Sequence, residues 1–289
     1  MLKSAAESSL YVKTAASLIS AIFTITTPRQ METGMNSQLI EKAADMIHSS
    51  RHAVVFTGAG VSTESGIPDF RSPGGIWDKF DQRAFDYSSF VSDEKSRILH
   101  WQLLRSLGNC ACPNPAHYAI GELCKLGFAK AVITQNIDGL HQRGGVPEDL
   151  IYELHGSMNS FTCLECRHRI KLEKVLEIAQ KDNVPECPEC RGILKPDVVF
   201  FGEALPVKAL EQAEKESSMC DLFIVVGSTL TVYPAALMPE IAVSGGAKLL
   251  IINLSPTPLD KAAELVINCK AGKILPEIVS RIKAYPGTV

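Results

Sequence analysis

This sequence has no long apolar run, no strong net charge and no internal repeat. No apolar run approaches the roughly 20 residues that a helix needs to span a bilayer, so we expect no membrane partner. The formal net charge is −3 over 289 residues, which gives no general reason to expect nucleic-acid binding. With 46% apolar and 21% charged residues, the composition is typical of a soluble globular protein with one large domain and a smaller one.

The cysteines lack the number and spacing of a disulfide framework. There are nine, and four of them form two Cys-x-x-Cys pairs separated by twenty residues, which indicates a metal site in a reducing compartment. Four thiolates at tetrahedral reach are what zinc prefers in a closed structural site, whereas iron–sulfur clusters have other usual spacings. The predicted ligands are Cys163, Cys166, Cys187 and Cys190. The others are interpreted mostly as packing residues: Cys110, Cys112, Cys124, Cys220 and Cys269.

A zinc module can also bind DNA, so the charge around the cysteines matters. Arg167, Arg169 and Lys171 are basic, but Glu165 and Glu173 lie in the same module. No basic face is evident, which argues against a DNA-binding finger. The zinc is therefore predicted to stabilise the fold.

Both common phosphate-binding fingerprints are incomplete in the loop after the first apolar strand. Gly58 and Gly60 permit a tight turn and a close backbone approach by a ligand. The Gly-x-Gly-x-x-Gly fingerprint lacks its third glycine, because Thr63 stands there, and the lysine of a P-loop is missing. Backbone N–H groups in such a turn still form a concavity for an anion. A purely structural turn is the alternative.

Short apolar runs alternate with helical patterns along most of the chain. A helix is predicted over residues 37–48, with Asn36 or Ser37 as its cap. Strands that alternate with helices predict an α/β fold with a Rossmann-like parallel sheet covered by helices on both faces, and a ligand at the carboxyl ends of the strands. The predicted strands cover residues 53–57, 131–134, 150–154, 198–201, 222–226, 249–252 and 265–267.

Polar side chains follow two of these strands. Asn136 and Asp138 come after one strand, and His155 comes after the next. A histidine at a strand end is more often structural, but polar groups at a neighbouring strand end favour a catalytic role. Histidine is the side chain whose ordinary pKa allows general-base work near neutral pH. His155 is therefore the candidate base.

Six motifs in order resemble the sirtuin family of NAD-dependent protein deacylases, over roughly residues 37–289. The run Gly-Ala-Gly-Val-Ser-Thr-Glu-Ser-Gly-Ile-Pro-Asp-Phe-Arg over residues 58–71 resembles its cofactor loop. Residues 134–141 look like its nicotinamide-pocket motif, and Glu153-Leu154-His155-Gly156 like the segment with its catalytic histidine. The paired cysteines match its zinc ribbon. Residues 195–203 are similar to its substrate-binding strand, and Gly227-Ser228-Thr229 with Asn253 to its later NAD contacts.

The resemblance implies a domain plan. Residues 36–289 would form the catalytic domain, with Rossmann-like parts at 36–71, 105–157 and 196–289, a cofactor loop and helical insertion at 72–104, and a zinc-binding module at 158–195. Residues 1–35 are expected to be a disordered or processed tail, and a start codon placed too early is the alternative. Cytoplasmic localisation is expected, subject to that tail. The chain is expected to be a monomer or a weak oligomer.

The same resemblance implies the roles of individual residues. His155, Asn136 and Asp138 would be catalytic, and acyl-lysine proteins or peptides would be the partners. The implied NAD contacts are Gly58, Ala59, Gly60, Ser62, Ile67, Pro68, Asp69, Phe70, Arg71, Trp77, Gln135, Asn136, Ile137, Asp138, Gly227, Ser228, Thr229, Asn253, Lys270 and Ala271. The implied peptide contacts are Val199, Phe200, Phe201, Gly202, Glu203, Val232 and Tyr233.

The implied reaction is NAD-dependent removal of an acyl group from lysine, which gives nicotinamide, lysine and O-acyl-ADP-ribose. Pro256 stands where many members have an acidic residue. Arg83 precedes Tyr87, the reverse of the order in members specialised for acidic acyl groups, and this favours an uncharged acyl group. The alternatives are a mono-ADP-ribosyltransferase, a non-enzymatic binding module and, least favoured, a dehydrogenase, since no clear acidic ribose ligand follows the loop.

Overall fold

The structure is a computed structural model, and it describes residues 28–107, 111–179 and 184–288. The compact unit that holds both sheets comprises Ile40–Val289. The predictions for residues 1–27 and for Cys110 lie outside the described residues. Among the described helices, none combines enough length and apolarity to cross a bilayer.

The first helix is longer than the sequence pattern predicts. Helix α1 covers Pro28–Ser49, so Asn36 and Ser37 lie inside it and neither is its cap. A capping residue only permits a helix to begin, whereas proline is well suited to the first helical position. The predicted start at residue 37 was therefore wrong.

Nine further α-helices lie in the described part of the chain. They are α2 (Ile76–Lys79), α3 (Tyr87–Ser92), α4 (Glu94–Leu107), α5 (Pro115–Lys125), α6 (Leu140–Arg143), α7 (Leu172–Ala179), α8 (Val207–Met219), α9 (Leu237–Ser244) and α10 (Ala271–Lys283). Asn114 caps α5, because its side chain accepts a hydrogen bond from the Ala116 N–H and Pro115 follows at the first position.

The large sheet has six parallel strands, as the alternating pattern predicts. They are β1 (Ala53–Thr57), β2 (Ala129–Thr134), β3 (Ile151–Glu153), β7 (Leu222–Val226), β8 (Lys248–Ile252) and β9 (Leu265–Ile267), in the order β3-β2-β1-β7-β8-β9. All five residues of β1 are buried. Val54 and Phe56 contribute to a core that also contains Ala213 of α8 and Met238 of α9. Burial of the central strands on both faces confirms the Rossmann-like fold.

The change of strand order at β1 determines where a ligand can lie. The chain proceeds from β1 through β2 to β3 on one side of the sheet, and from β7 through β8 to β9 on the other. Loops leaving β1 and β7 therefore diverge at the carboxyl edge and leave a crevice between them.

A second sheet is small and antiparallel. It joins β4 (Gly156–Cys163), β5 (Arg169–Lys171) and β6 (Leu194–Val198) in the order β5-β4-β6. Its apolar side packs against the helical insertion, where Trp101 of α4 stacks on Phe161 with ring centroids 5.3 Å apart. Both rings are fully buried. The insertion and the zinc-binding module thus share one small core.

The predicted strand over residues 198–201 is wrong in its bounds. Strand β6 ends at Val198, and beyond it the chain has a hydrogen bond from Val199 to His155 and an isolated bridge between Asp86 and Phe201. The Phe200 ring turns into a cluster with Phe90, in which the ring centroids lie 5.1 Å apart. An apolar run predicts burial, but it does not separate a strand from a buried turn.

Candidate active site

A cleft of about 320 Å³ opens at the carboxyl ends of β1, β2, β7 and β8. Glycines and small polar groups form its floor, and the loop after β1 forms one wall. Its lining residues are Gly58, Ala59, Gly60, Thr63, Glu64, Asp69, Phe70, Arg71, Ser72, Gln135, Asn136, His155, Gly227, Ser228, Thr229, Val232, Ile252, Asn253, Leu254, Ser255, Cys269, Lys270 and Ala271.

The loops after β1 and β7 interlock at the floor of the cleft. The Gly60 N–H donates to the Gly227 carbonyl at 2.9 Å. A Cβ on Gly60 would lie 2.7 Å from that oxygen, and one on Gly227, which has φ of 62°, would lie 2.3 Å from the Val61 nitrogen. Because these neighbours are backbone atoms, no side chain can move aside. The glycines are required for this close approach, which leaves room for a ligand along the loop.

We expect Gly60→Ala to lower both the stability and the ligand affinity of the cleft. The added methyl group forces two backbone segments apart, and overpacking of this kind costs about 1–3 kcal/mol. Chemical unfolding measures the first effect and calorimetric NAD titration the second. Gly245→Ala is the matched control, because its methyl group would lie 3.3 Å or more from its neighbours. If the two variants lost the same stability and the same NAD affinity, the close contact between the two loops would not be the cause.

His155 lies where β3 turns into β4, and its ring orientation is fixed from the main chain. Its Nδ1 lies 3.0 Å from the Gln135 carbonyl oxygen, which can only accept, so Nδ1 carries the proton. Nε2 is then an unprotonated acceptor on a side chain that lines the cleft. Burial lowers the pKa of His155, and this outweighs the opposing effect of the Gln135 hydrogen bond. The imidazole is therefore neutral near pH 7 and able to take a proton.

Asn136 and Asp138 are joined through one hydroxyl group. The Ser62 hydroxyl donates to Asp138 Oδ2 at 2.7 Å and accepts from Asn136 Nδ2 at 3.2 Å. Asn136 Nδ2 also lies 3.2 Å from the Gly58 carbonyl, and the Leu140 N–H donates to Asp138 Oδ1 at 2.9 Å. The loop after β2 is thereby fixed to the loop after β1.

Two buried histidines lie behind Ser62. The Asn114 N–H donates to His117 Nδ1 at 3.2 Å, and His117 Nε2 approaches the Ser62 hydroxyl at 3.4 Å. His141 Nε2 lies 2.8 Å from the Thr57 hydroxyl, and the two imidazole rings are 5.1 Å apart. Burial and the neighbouring His117 lower the pKa of His141 to about 3. Burial also lowers the pKa of His117, against the opposing effect of the Asp138 charge, so both rings are neutral near pH 7.

The pKa of His141 predicts an acid-sensitive fold. An unfolded histidine binds its proton near pH 6.5, whereas the folded protein resists this down to about pH 3. Above pH 6.5 His141 is neutral in both states and its titration does not oppose folding. Below that value the unfolded chain binds a proton that the folded protein excludes, so we expect the free energy of unfolding to fall by about 1.4 kcal/mol per pH unit. Urea unfolding at pH 7.5, 6.0 and 5.0 measures the slope. His141→Gln should flatten it and exposed His168→Ala should not; equal slopes in all three proteins would refute the assignment.

Aromatic rings extend from the cleft towards the helical insertion. Trp77 contacts Phe70, Phe85 and Phe201, with ring centroids 5.2, 5.2 and 6.2 Å apart. Phe201 is 54% exposed. Arg83 is not part of this group of rings. It forms an ion pair with Asp81 on the surface, with 2.6 Å between Nη2 and Oδ2. This aromatic wall, made of Phe70, Trp77, Phe85 and Phe201, carries no charge.

Comparison with known proteins agrees with this geometry. The model of the Sir2 family matches residues 58–234. The NAD-dependent protein deacylase 2 of Archaeoglobus fulgidus is 46% identical over 247 residues, which cover 84% of this chain and 96% of that protein. The chain belongs to the Sir2 family. The NAD-dependent protein deacetylase of Thermodesulfovibrio yellowstonii is 45% identical over 85% of this chain and 96% of its own length.

Solved structures of Sir2 proteins share the fold. One, described as a structural basis for the mechanism and regulation of Sir2 enzymes, is 46% identical with a TM-score of 0.79 over 85% of this chain and 98% of that one. Another, Sir2Af2 bound to a myristoylated histone peptide, is 42% identical with a TM-score of 0.74 over 86% of this chain and 97% of that one.

Most residues that the Sir2 resemblance assigns to NAD lie together in the cleft. Six do not line it: Ser62, Ile67, Pro68, Trp77, Ile137 and Asp138. Ser62 and Asp138 instead support Asn136 from behind. Of the assigned peptide contacts, Val232 lines the cleft, while Phe200 is buried.

Seven lining residues were absent from the sequence-based assignment. They are Thr63, Glu64, Ser72, Ile252, Leu254, Ser255 and Cys269. Thr63 and Glu64 directly follow the glycine loop, and the others adjoin assigned positions, so proximity in sequence was the available signal. Glu64 also accepts a hydrogen bond from the Gly272 N–H at the start of α10.

The four paired cysteines converge at one point of the small sheet. Their sulfur atoms all lie within 4.8 Å of one another, with Cys163 to Cys190 at 3.5 Å and Cys166 to Cys187 at 3.7 Å. A tetrahedral zinc with bonds of about 2.3 Å requires sulfur separations of about 3.8 Å, so the cluster fits the ion.

The cysteines outside the cluster differ among themselves. Burial raises the pKa of Cys124 and of Cys220 to about 12, so both are inert packing residues, as predicted. Cys112 is exposed, and the packing interpretation was wrong there. Cys269 is half-buried and lines the cleft.

Proposed function

We propose that this chain removes acyl groups from protein lysines, with NAD as co-substrate, and releases nicotinamide and O-acyl-ADP-ribose. The observation behind the proposal is the orientation of His155, whose Nε2 is an unprotonated acceptor beside the interlocked glycine loops. NAD would supply a ribose that loses nicotinamide and accepts the acyl group on a hydroxyl, and one water is consumed as the C–N bond of the acyl-lysine breaks and the free lysine leaves. Because an acyl group moves from lysine to ribose, the proposed enzyme is a transferase.

The loops of the cleft are suited to hold NAD. Gly58, Gly60 and Gly227 leave no Cβ along the two loops, so a phosphate can approach the main chain there. The loops after β2 and β7 are joined across the cleft, because Gln135 Nε2 donates to the Ser228 hydroxyl at 2.9 Å. Asn253, Lys270 and Ala271 line the opposite end of the cleft, where we place the adenosine.

The side chains at the ends of β2 and β3 have different roles in the proposed reaction. His155 accepts a proton at Nε2 from a ribose hydroxyl. Asn136, at 8% exposure, orients the carboxamide of nicotinamide. Asp138 and Ser62 hold Asn136 in place through their shared hydrogen bond. Positioning of this kind contributes to the rate through proximity and orientation.

The acyl group is proposed to be uncharged. The aromatic wall offers it apolar surface, and the ion pair with Asp81 keeps the Arg83 guanidinium on the surface of the insertion. An acidic acyl group would meet no free cation in that wall. Acetyl and longer aliphatic groups are therefore the expected substrates.

The peptide is proposed to add as a strand between residues 201–203 and Val232–Tyr233. Phe201 already pairs through its main chain, since its N–H donates to the Phe85 carbonyl and its carbonyl accepts from the Tyr87 N–H. Gly202 makes no hydrogen bond within the described residues, so its polar groups are available to a partner strand. Main-chain pairing of this type gives affinity with little sequence preference.

The zinc is proposed to be structural. Four thiolates leave no open coordination position for water, so the ion stabilises the module without taking part in the chemistry. Reduced thiolates also support a cytoplasmic location. The boundaries 36–289 for the catalytic domain and 158–195 for the zinc-binding module are part of this proposal.

Nicotinamide release tests the proposal. The purified protein is incubated with NAD, with and without an acetyl-lysine peptide, and the products are identified by mass spectrometry. Peptide-dependent release with O-acetyl-ADP-ribose supports deacylation. Transfer of labelled ADP-ribose to protein at comparable rates would instead favour a mono-ADP-ribosyltransferase. No release with any of acetyl, propionyl or myristoyl peptides would refute the deacylase proposal.

A further inference from the structure

A largely buried ion pair closes the segment proposed to bind the peptide, with the Lys195 side chain 9% and the Glu203 side chain 25% exposed. Lys195 of β6 is 7% exposed as a whole residue, and its Nζ lies 2.8 Å from Glu203 Oε2. Lysine is rarely buried, and a buried lysine normally has a specific partner, as Lys195 has in Glu203. The resemblance assigned Glu203 to peptide contact, yet its carboxylate is engaged within the protein.

Every donor of the Lys195 ammonium group has an acceptor. Besides Glu203, Nζ donates to the carbonyl oxygens of Pro196 at 3.1 Å and Val198 at 2.7 Å. It also lies 4.5 Å from the centroid of the Phe200 ring. Three hydrogen bonds and an aromatic face offset the cost of burying the charge. The ammonium group is therefore fixed in place.

The Glu203 carboxylate closes a tight turn. The same Oε2 that pairs with Lys195 accepts from the Phe200 N–H at 2.8 Å, and the Glu203 N–H donates to the Phe200 carbonyl at 3.0 Å. Gly202, with φ of 92°, takes the left-handed conformation between them. The turn directs Phe201 outward, where it is 54% exposed.

This turn touches two other parts of the site. The Val199 N–H donates to the His155 carbonyl at 2.9 Å, so the segment is connected to the proposed base. On its other side, Phe201 pairs with Phe85 and Tyr87 of the helical insertion. A shift of the turn would therefore disturb the peptide edge and the aromatic wall directly, whereas it reaches only the main chain of His155, whose imidazole is held separately by the Gln135 carbonyl.

We propose that the Lys195–Glu203 pair is a positioning device that holds the 200–203 turn in the conformation that accepts an acyl-lysine peptide. It rests on the proposed function and adds to it two residues that act through the turn without contacting the reacting atoms. A surface pair would not do this, because exposed ion pairs contribute little. The buried pair with its shared acceptor fixes one conformation.

The test compares peptide binding with NAD binding in four proteins. They are the parent, Glu203→Ala, Glu203→Gln, and Glu177→Ala as a control whose ion pair with Lys174 lies on the surface, with the Lys174 and Glu177 side chains 63% and 64% exposed. Binding of a fluorescent acetyl-lysine peptide is measured by anisotropy and NAD binding by calorimetry. Hydrogen exchange of residues 199–203 reports the turn itself.

We expect Glu203→Ala to weaken peptide binding about tenfold or more and to accelerate exchange in the turn, while NAD affinity stays within about twofold. Glu203→Gln keeps an oxygen for the Phe200 N–H and should recover most of the peptide affinity. Glu177→Ala should match the parent. Unchanged peptide affinity in Glu203→Ala, or equal loss for peptide and NAD, would overturn the inference.

Glu203→Ala leaves Lys195 buried without its partner and so could fail to fold. A second variant keeps the inference testable in that case. Lys195→Met/Glu203→Leu replaces the pair by apolar side chains, a change that buried pairs often tolerate. It cannot accept from the Phe200 N–H, so peptide affinity should still fall about tenfold. If the parent protein itself binds no acyl-lysine peptide, the proposed function fails and this inference fails with it. If the parent binds the peptide and the variants bind it equally well, this inference alone fails.

Discussion

Replacement of His155 by alanine is expected to lower the rate of O-acyl-ADP-ribose formation by about 10²–10⁴-fold, the usual contribution of a positioned general base. Folding should survive, because the side chain is only partly buried and its one hydrogen bond goes to the Gln135 carbonyl. Single-turnover kinetics with saturating NAD and acetyl-lysine peptide measure the effect. The acid limb of the pH profile should lie below the ordinary histidine pKa of about 6.5, since burial lowers the pKa of His155.

His168→Ala is the matched control for that experiment. His168 is exposed on the zinc-binding module, so its loss should leave the rate unchanged. A His155→Ala rate within threefold of the parent would contradict the general-base assignment. An equal loss in both variants would indicate a defect of the module.

Cys163→Ser is expected to release the zinc and unfold the small sheet. A structural zinc contributes about 10 kcal/mol or more, which matches or exceeds the total stability of a typical domain. Cys163 is fully buried beside the Trp101 and Phe161 stack, so the damage should extend to the helical insertion. Zinc content by mass spectrometry should fall from one ion per chain to none, with loss of near-UV dichroism.

Cys112→Ser separates a zinc effect from a general thiol effect. Cys112 is exposed and outside the cluster, so this variant should retain its zinc and its melting temperature. A Cys163→Ser protein with full zinc content would show that the cluster does not hold the ion. Chelator treatment of the parent protein should reproduce the Cys163→Ser result.

The sequence was sufficient to predict the elements with strong local patterns. Runs such as 222–226 are too apolar for a surface and too short for a helix, and β7 has those bounds. The start of α5 has a local chemical cause that the sequence itself contains, a capping Asn114 followed by Pro115 at the first helical position. Cys-x-x-Cys spacing likewise limits where the sulfur atoms can lie, and the four meet as expected.

The sequence was insufficient where distant residues decide the outcome. The end of β6 at Val198 depends on Phe200 turning towards Phe90, more than a hundred positions earlier. The sequence analysis placed Lys195 and Glu203 in one substrate-binding segment, but their ion pair depends on the turn between them, which no local pattern predicts. Ser62 read as a ligand contact, and only the structure places its hydroxyl between Asn136 and Asp138.

The position of β1 in the middle of the sheet also affects synthesis of the chain. β1 pairs with β2 on one edge and with β7 on the other, and Leu222 comes 165 positions after Thr57. At 5–20 residues per second, a ribosome needs roughly ten to thirty seconds to supply that second neighbour. During this interval the nascent chain exposes an unpaired apolar edge. Any truncation before Val226 makes that exposure permanent and favours aggregation.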